Sequence, residues 1–194
     1  MPGLREQKIL KAKATIQAHA LRLFAKQGYN ITTVEQIAEV SEVSPSTFFR
    51  YFQTKESVVL YDSLDQVIIE AFRAQPHNVP IIRALRNATS DVFGSLSAGQ
   101  QRLEEQRADL IRTIPELQPY MYEEIARNID LFAEIIAERT GRTSDDLEVR
   151  NLAGATIGVG MAALLQAYKY PDKINPIAAF DAALDQLEKG LLVA

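Results

Sequence analysis

The sequence predicts an all-helical chain, and three observations carry that expectation. Apolar residues recur at helical spacing along residues 9–191, and no stretch alternates apolar and polar residues as a half-buried strand would. The third is composition: 47% of the 194 residues are apolar, enough for a sizeable core. Charge is balanced at 21 Lys+Arg against 25 Asp+Glu, net −4, which excludes a mostly disordered chain. Cysteine is absent, so disulfides, thiolate metal clusters and a thiol nucleophile are excluded, which fits a cytoplasmic protein. Residues 1–13 are polar and basic, without the apolar stretch of a signal peptide.

Local signals define each element. Ile9, Ile16, Ala20, Leu23 and Phe24 share one face of a first helix, which Gly28 ends because glycine enters the left-handed conformation at little cost. Thr32-x-x-Glu35 reads as a capping box opening a short second helix, with Val34, Ile37 and Ala38 as its apolar face and a stop near Val40-Ser41. Ser44-Pro45 opens a third. The serine caps free amides, and proline suits the first helical position, where its missing N–H had no partner. This helix runs through Thr47-Phe48-Phe49-Arg50-Tyr51-Phe52. Thr54 caps a fourth, long helix in which Leu60, Leu64, Val67, Ile68, Ala71 and Phe72 recur, with Pro76 and Pro80 bracketing its end.

About five further helices are expected beyond Pro80, about nine in all, with breaks near Ser97-Ala98-Gly99, Ile114-Pro115, Gly141 and Pro171-Asp172. Met121, Ile125, Ile129, Phe132 and Ile136 stripe one of them; Ile177, Phe180, Leu184, Leu187 and Leu191 stripe the last. Residues 151–168 carry no charge for 18 residues, near the minimum for a spanning helix. Their polar residues and three glycines favour a buried helix, so no membrane partner is expected.

Two domains are expected, a head over 1–58 and a body over 59–194, joined through the fourth helix. The head holds eight Lys+Arg against five acids, for +3, and the body 13 against 20, for −7. A basic head on an acidic body directs the head toward a polyanion.

The strongest constellation lies in residues 32–55. Two short helices joined by Ser41-Glu42-Val43 have the lengths of a helix-turn-helix, whose second helix enters the DNA major groove amino end first. Ser44, Ser46, Thr47, Arg50 and Tyr51 suit that exposed end, while Phe48 and Phe52 face the core. Free amides and the dipole at the helix start also favour a phosphate. Lys55 opposes the dipole of the next helix and so needs another reason for its place; a nearby phosphate would supply one. Ordinary capping in a plain helical hairpin explains Ser44 and Thr54 equally well.

These residues also resemble a family. The run Ile16…Ala20…Leu23-Phe24…Gly28-Tyr29, Thr32-Thr33-Val34…Ile37-Ala38…Val43-Ser44…Thr47-Phe48-Phe49-Arg50-Tyr51-Phe52…Lys55-Glu56 is similar to the amino-terminal domain of TetR-family transcriptional regulators. The match spans about residues 9–60 without a gap. The resemblance implies a DNA-binding head and a helical body that dimerises and holds an effector. It implies that Thr33 contacts a phosphate, that Ser44, Pro45, Ser46 and Thr47 line the groove-facing end of the recognition helix, that Arg50 and Tyr51 reach bases or phosphate, and that Lys55 binds the DNA backbone. Phe49 stands where many relatives carry tyrosine; unable to donate, it suits a sugar or a thymine methyl. Val34 stands at a position polar in some relatives, which argues against base reading from the second helix. Arg5, Lys8, Lys11 and Lys13 form either a flexible basic arm on the duplex or a solvated, frayed terminus.

Family members usually dimerise through their last two long helices. Gly154, Gly158, Ala153 and Ala155 put small residues on adjacent faces of the helix over 151–168, which allows close approach of a partner subunit or dense internal packing. For an effector pocket, Phe93, Leu110, Tyr120, Tyr122 and Phe132 are wall candidates, with Arg86, Arg127 and Asn151 as polar anchors. The body also resembles regulators proposed to sense acyl-coenzyme A or fatty acyl groups.

Other patterns carry no chemistry. Gly158-Val159-Gly160-Met161-Ala162-Ala163 has a dinucleotide-loop spacing but no preceding strand. His19 and His77 lack the spacing of a metal pair, and Glu104-Glu105 and Glu123-Glu124 diverge on their helices as solvated faces. No cofactor, metal or catalytic residue is expected. The sequence thus reads as a repressor that binds a palindromic operator as a homodimer and leaves it when a small, mostly apolar effector binds. A helical protein–protein adaptor and a carboxylate-based enzyme are the alternatives.

Overall fold

The computed structural model describes residues 4–191; the first three residues of the basic amino-terminal stretch lie outside the described residues. Among the described residues the chain forms ten α-helices and one short 3-10 turn, and no strand. The helices are α1 (Leu4–Gln27), α2 (Val34–Val40), α3 (Pro45–Tyr51), α4 (Lys55–Leu60), α5 (Asp65–Arg73), α6 (Ile81–Ser95), α7 (Ala98–Thr113), α8 (Gln118–Thr140), α9 (Leu147–Lys169) and α10 (Pro176–Glu188). The count is one above expectation because the long fourth helix is two. α4 ends at Leu60, where the Tyr61 backbone turns extended, and α5 starts only at Asp65.

The basic stretch is also helical from Leu4. Lys13 lies well inside α1, with its ammonium 4.7 Å from the centre of the Tyr61 ring and 5.5 Å from that of Phe52. The second helix begins one residue later than expected: Thr33, not Thr32, caps it, in a box with Gln36. Thr32 is instead buried, and its hydroxyl donates to the Gly28 carbonyl (2.7 Å).

Two compact units divide the chain. One comprises residues up to Ser63 together with Leu96–Met121; the other comprises Leu64–Ser95 together with the chain from Tyr122 onward. Residues 96–121, placed in the body by the sequence reading, thus pack with the amino-terminal helices.

In the first unit Ile16, Ala20, Leu21 and Phe24 of α1 meet Ile37, Ala38, Phe48, Phe52, Val58 and Val59, and Leu117 closes the cluster. Ile9 lies outside it, exposed at the start of α1. Gln17 is buried among these apolar groups because its amide donates to the carbonyls of Val58 (2.9 Å) and Tyr61, which α4 leaves unpaired at its end. Arg107 of α7 bonds both Asp62 (2.7 Å), in the break after α4, and Glu104 (2.9 Å). Glu104 is therefore no solvated face: burial pushes its carboxyl above the usual carboxylate range, against the pull of Arg107.

In the second unit Phe72, Ile82, Ala84, Leu85, Ala88, Phe132, Ala133, Ile136, Ala153 and Leu184 form the core. Arg86 of α6 fastens α10, bonding Asp181 through two nitrogens (2.8 and 3.0 Å) and also Asp185 (2.6 Å) and Glu188 (3.2 Å). Those bonds raise the Arg86 pKa and hold the Asp181 carboxyl below its ordinary range. Gly160 lets α9 sit against α10: a Cβ there would lie 2.5 Å from Cε2 of Phe180. Gly160→Val is expected to displace that ring and cost about 1–3 kcal/mol, read as a lower midpoint in urea unfolding.

No helix among the described residues is long and apolar enough to cross a membrane.

Candidate nucleic-acid interface

The turn between α2 and α3 is built by hydrogen bonds that hold the two helices at a fixed angle. Glu42 takes the left-handed conformation (φ 56°), its N–H donating to Glu39 O (3.0 Å), while the Val43 N–H donates to Ala38 O (3.0 Å). This pair of bonds is a Schellman closure, here carried by a glutamate rather than the usual glycine. Ser41, the C-cap, is buried, and its hydroxyl finds no hydrogen-bond partner among the described residues. An unsatisfied buried hydroxyl costs more than it contributes. Ser41→Ala is therefore expected to stabilise the chain by about 1 kcal/mol, visible as a raised Tm in a thermal melt.

Ser44 then starts α3. Its Oγ accepts the Thr47 N–H (3.1 Å) and lies 2.9 Å from Ser46 Oγ and 3.0 Å from Thr47 Oγ1, so three hydroxyls cluster at the leading end. Pro45 fills the first helical position. Phe48 is fully buried and Phe52 nearly so, which anchors the inner face. The outer face is open: Ser44, Pro45, Ser46 and Arg50 are exposed, and Thr47 and Tyr51 half-buried. Arg50 lies over the Tyr51 ring, 5.2 Å from its centre. Phe49 is 51% exposed, its ring edge-on to Phe48 at 5.6 Å. Phe49 thus keeps an aromatic contact with the anchor beneath it while about half of it stays open to the outside.

Thr33, at the head of α2, is exposed and bonds Gln36 in both directions: its Oγ accepts the Gln36 N–H (3.3 Å), and its own N–H reaches Gln36 Oε1 (3.0 Å). Lys55, half-buried at the start of α4, has partners inside the chain. Its Nζ donates to the carbonyls of Tyr29 (2.9 Å) and Thr32 (3.3 Å) and lies 4.1 Å from the centre of the Tyr29 ring. The neighbouring Glu56 accepts the Tyr29 hydroxyl (2.7 Å). Burial and Glu56 push the Tyr29 pKa up; burial alone would raise Glu56, but the Tyr29 bond brings it below its ordinary value. Sequence reasoning missed this knot, and also Gln17 and Arg107. The only signal was polar residues at positions facing an apolar neighbour helix.

The pocket candidates are scattered. Leu110 packs on the core of the first unit, where exposed Tyr120 also lies. Phe93 and Phe132 belong to the second unit, half-buried and buried, with Phe132 against the Phe72 ring (6.2 Å). Tyr122 is 78% exposed, Arg127 is exposed and pairs with Glu124, and Asn151 is exposed on α9. Arg86 is held by three carboxylates of α10.

Comparison with known proteins bears on both ends of the chain. Residues 16–61 match the family described as bacterial regulatory proteins, tetR family, and residues 79–192 match the MftR C-terminal domain. TcmR, an HTH-type transcriptional regulator of Streptomyces glaucescens, is 32% identical over 203 residues, spanning 98% of this chain and 88% of TcmR. MftR of Mycobacterium tuberculosis, a regulator named for mycofactocin biosynthesis, is 23% identical over 191 residues, 96% of each chain. Among solved structures, FadR of Thermus thermophilus, a TetR-family transcriptional repressor crystallised with lauroyl-CoA, shares the fold. Its TM-score is 0.56 at 22% identity over 94% of this chain and 96% of FadR.

Proposed function

The chain belongs to the TetR family of bacterial regulatory proteins, and from that premise we propose that it represses transcription by binding a palindromic operator as a homodimer, until a small, mostly apolar effector releases it. One observation carries the DNA half: the outward face of α3, with its three hydroxyls, Arg50 and half-exposed Phe49 on a buried Phe48 anchor. Ser44, Pro45, Ser46 and Thr47 line the groove, Arg50 and Tyr51 reach bases or phosphate, Phe49 meets a sugar or thymine methyl, and Thr33 holds a phosphate from α2.

The homodimer reading is supported by glycines that the subunit itself does not need. A Cβ at Gly154 or Gly158 would meet nothing within 4 Å, yet glycine inside a helix costs about 1 kcal/mol relative to alanine. Gly158 is exposed, and at helical spacing with it lie exposed Asn151, Ala162 and Leu165. A second α9 laid along that face accounts for both the small residues and the open leucine. Ala153, by contrast, is buried in the chain's own core.

For the effector, Phe93 and Phe132 supply apolar wall within the second unit, while Arg86 is already occupied by carboxylates and leaves the anchor role to other residues. The lauroyl-CoA held by FadR makes an acyl chain the first class to test. Mechanistically, an effector that prefers a subunit arrangement with the wrong spacing of the two α3 helices shifts the population away from the operator-bound form.

The test is a titration of the full chain against a labelled duplex from the intergenic DNA upstream of its gene, with a scrambled duplex as control, at several KCl concentrations. The expected result is preference for the first duplex, affinity falling steeply with salt at about 0.9 log unit per log unit of salt for each phosphate neutralised, and release on adding lauroyl-CoA. Binding that ignores sequence or salt would contradict the operator reading; retention of the duplex at saturating lauroyl-CoA would remove the acyl class alone.

A further inference from the structure

A lysine in the first turn of a helix opposes the helix dipole, and Lys55 sits there, directly after the Thr54 cap of α4. The chain itself supplies the compensation. The loop after α1 turns at Gly28 (φ 95°) and closes through the Thr32 N–H on Tyr29 O (3.2 Å), which leaves the Thr32 carbonyl and one lone pair of the Tyr29 carbonyl pointing at α4. The Lys55 ammonium takes both, at 2.9 and 3.3 Å, and covers the face of the Tyr29 ring at 4.1 Å. Tyr29 is buried against Phe24 (5.1 Å) and ties its hydroxyl to Glu56, so the ring cannot drift from the cation. The next residue in the chain, Thr33, is the N-cap of α2, and Gln27 at the end of α1 bonds both Thr32 Oγ1 (3.2 Å) and Gln36 Oε1 (2.9 Å) of that cap. Of these bonds, that of Gln27 to Gln36 reaches the first turn of α2 directly, and those of Lys55 hold the loop that leads into it.

We infer that Lys55 is a positioning residue: its ammonium clamps the turn of Tyr29 and Thr32, and so sets the amino end of α2 and its Thr33, instead of binding a phosphate itself. This assignment rests on the operator reading for its effect on DNA, but not for its effect on the free chain. It replaces the phosphate that the sequence alone offered as the reason for a cation at that place. Two carbonyl oxygens and a ring face engage a compact ammonium at closest approach. A guanidinium is longer and planar, and its forked donors do not reproduce a compact ammonium that meets both carbonyls and the ring at one point.

The experiment uses the full chain with Lys55→Arg and Lys55→Met, each shown by circular dichroism to be folded at 25 °C. Operator binding is measured at four KCl concentrations, and amide hydrogen exchange is followed in the free proteins. Both variants are expected to bind the operator duplex at least tenfold more weakly than wild type, with the same salt slope. Exchange should be faster at Gln36 and Ile37, whose amides bond Thr33, and unchanged at Thr47 and Phe48. A plain loss of global stability would not give that local pattern in a folded protein. The inference is overturned if Lys55→Arg binds within twofold of wild type while Lys55→Met lowers the slope by about 0.9 per subunit, the signature of a lost phosphate contact. Unchanged exchange at Gln36 and Ile37 in both variants overturns it too, and needs no DNA. A wild-type chain that ignores the duplex removes the operator reading, and the exchange result then decides the role of Lys55 on its own.

Discussion

Phe48→Ala is expected to cost about 3–5 kcal/mol and to abolish operator binding. Phe48 is fully buried, its ring touching Phe49 and Phe52 (5.9 Å), and it is the only residue of α3 buried in the core of the first unit. Truncation removes the largest anchor of the recognition helix and leaves a cavity between α3 and α1. For a unit of this size the loss corresponds to a Tm lower by roughly 15–30 °C. The neighbouring Phe49→Ala is the control that separates stability from recognition. Phe49 is half-exposed, so its truncation should change stability by less than about 0.5 kcal/mol while still weakening the operator complex. Thermal melts of the two variants check both statements. Equal destabilisation by both would mean that α3 is not seated through Phe48.

Gly158→Asp should convert the chain from a dimer into a folded monomer and lower operator affinity by roughly two to four orders of magnitude. The subunit tolerates the change because nothing of its own chain lies within 4 Å of a Cβ there. A partner helix does not, since the new carboxylate would be buried unpaired against the other copy. Two linked recognition helices bind a palindrome far more tightly than one, by about 10²–10⁴, and separation forfeits that advantage. Light scattering coupled to size exclusion reads the mass directly: about 21.6 kDa for the variant and twice that for wild type. A variant that keeps the wild-type mass would place the subunit contact elsewhere.

The amino-terminal elements were legible because their signals are local. Ser44-Pro45, Thr54 and Gly28 act on the next turn of backbone, and the structure shows each in that role. The breaks at Ser97, Ile114 and Gly141 were visible for the same reason. What the sequence hid depends on partners far along the chain. The break between α4 and α5 carries no proline or glycine; it is held by Gln17 from α1 and Arg107 from α7, 44 and 45 residues away. Thr32 and Thr33 are equally good caps on paper, and only the Gly28 carbonyl decides that Thr32 turns inward. The carbonyls that engage Lys55, at Tyr29 and Thr32, become its neighbours only when α1 and α4 pack, so the sequence displayed the lysine without its partners in the chain. The three carboxylates that hold Arg86 lie about 100 residues downstream, out of reach of any local pattern.

The absence of cysteine permits a direct test of where α3 goes. Ser46→Cys, labelled with an iron chelate that cleaves DNA within its reach, reports the position of the leading end of α3 on the operator duplex. Two symmetry-related clusters of cleavage, about 10 base pairs apart on one face of the DNA, are the predicted result. A single cluster, or cleavage spread evenly along the duplex while binding persists, would contradict it.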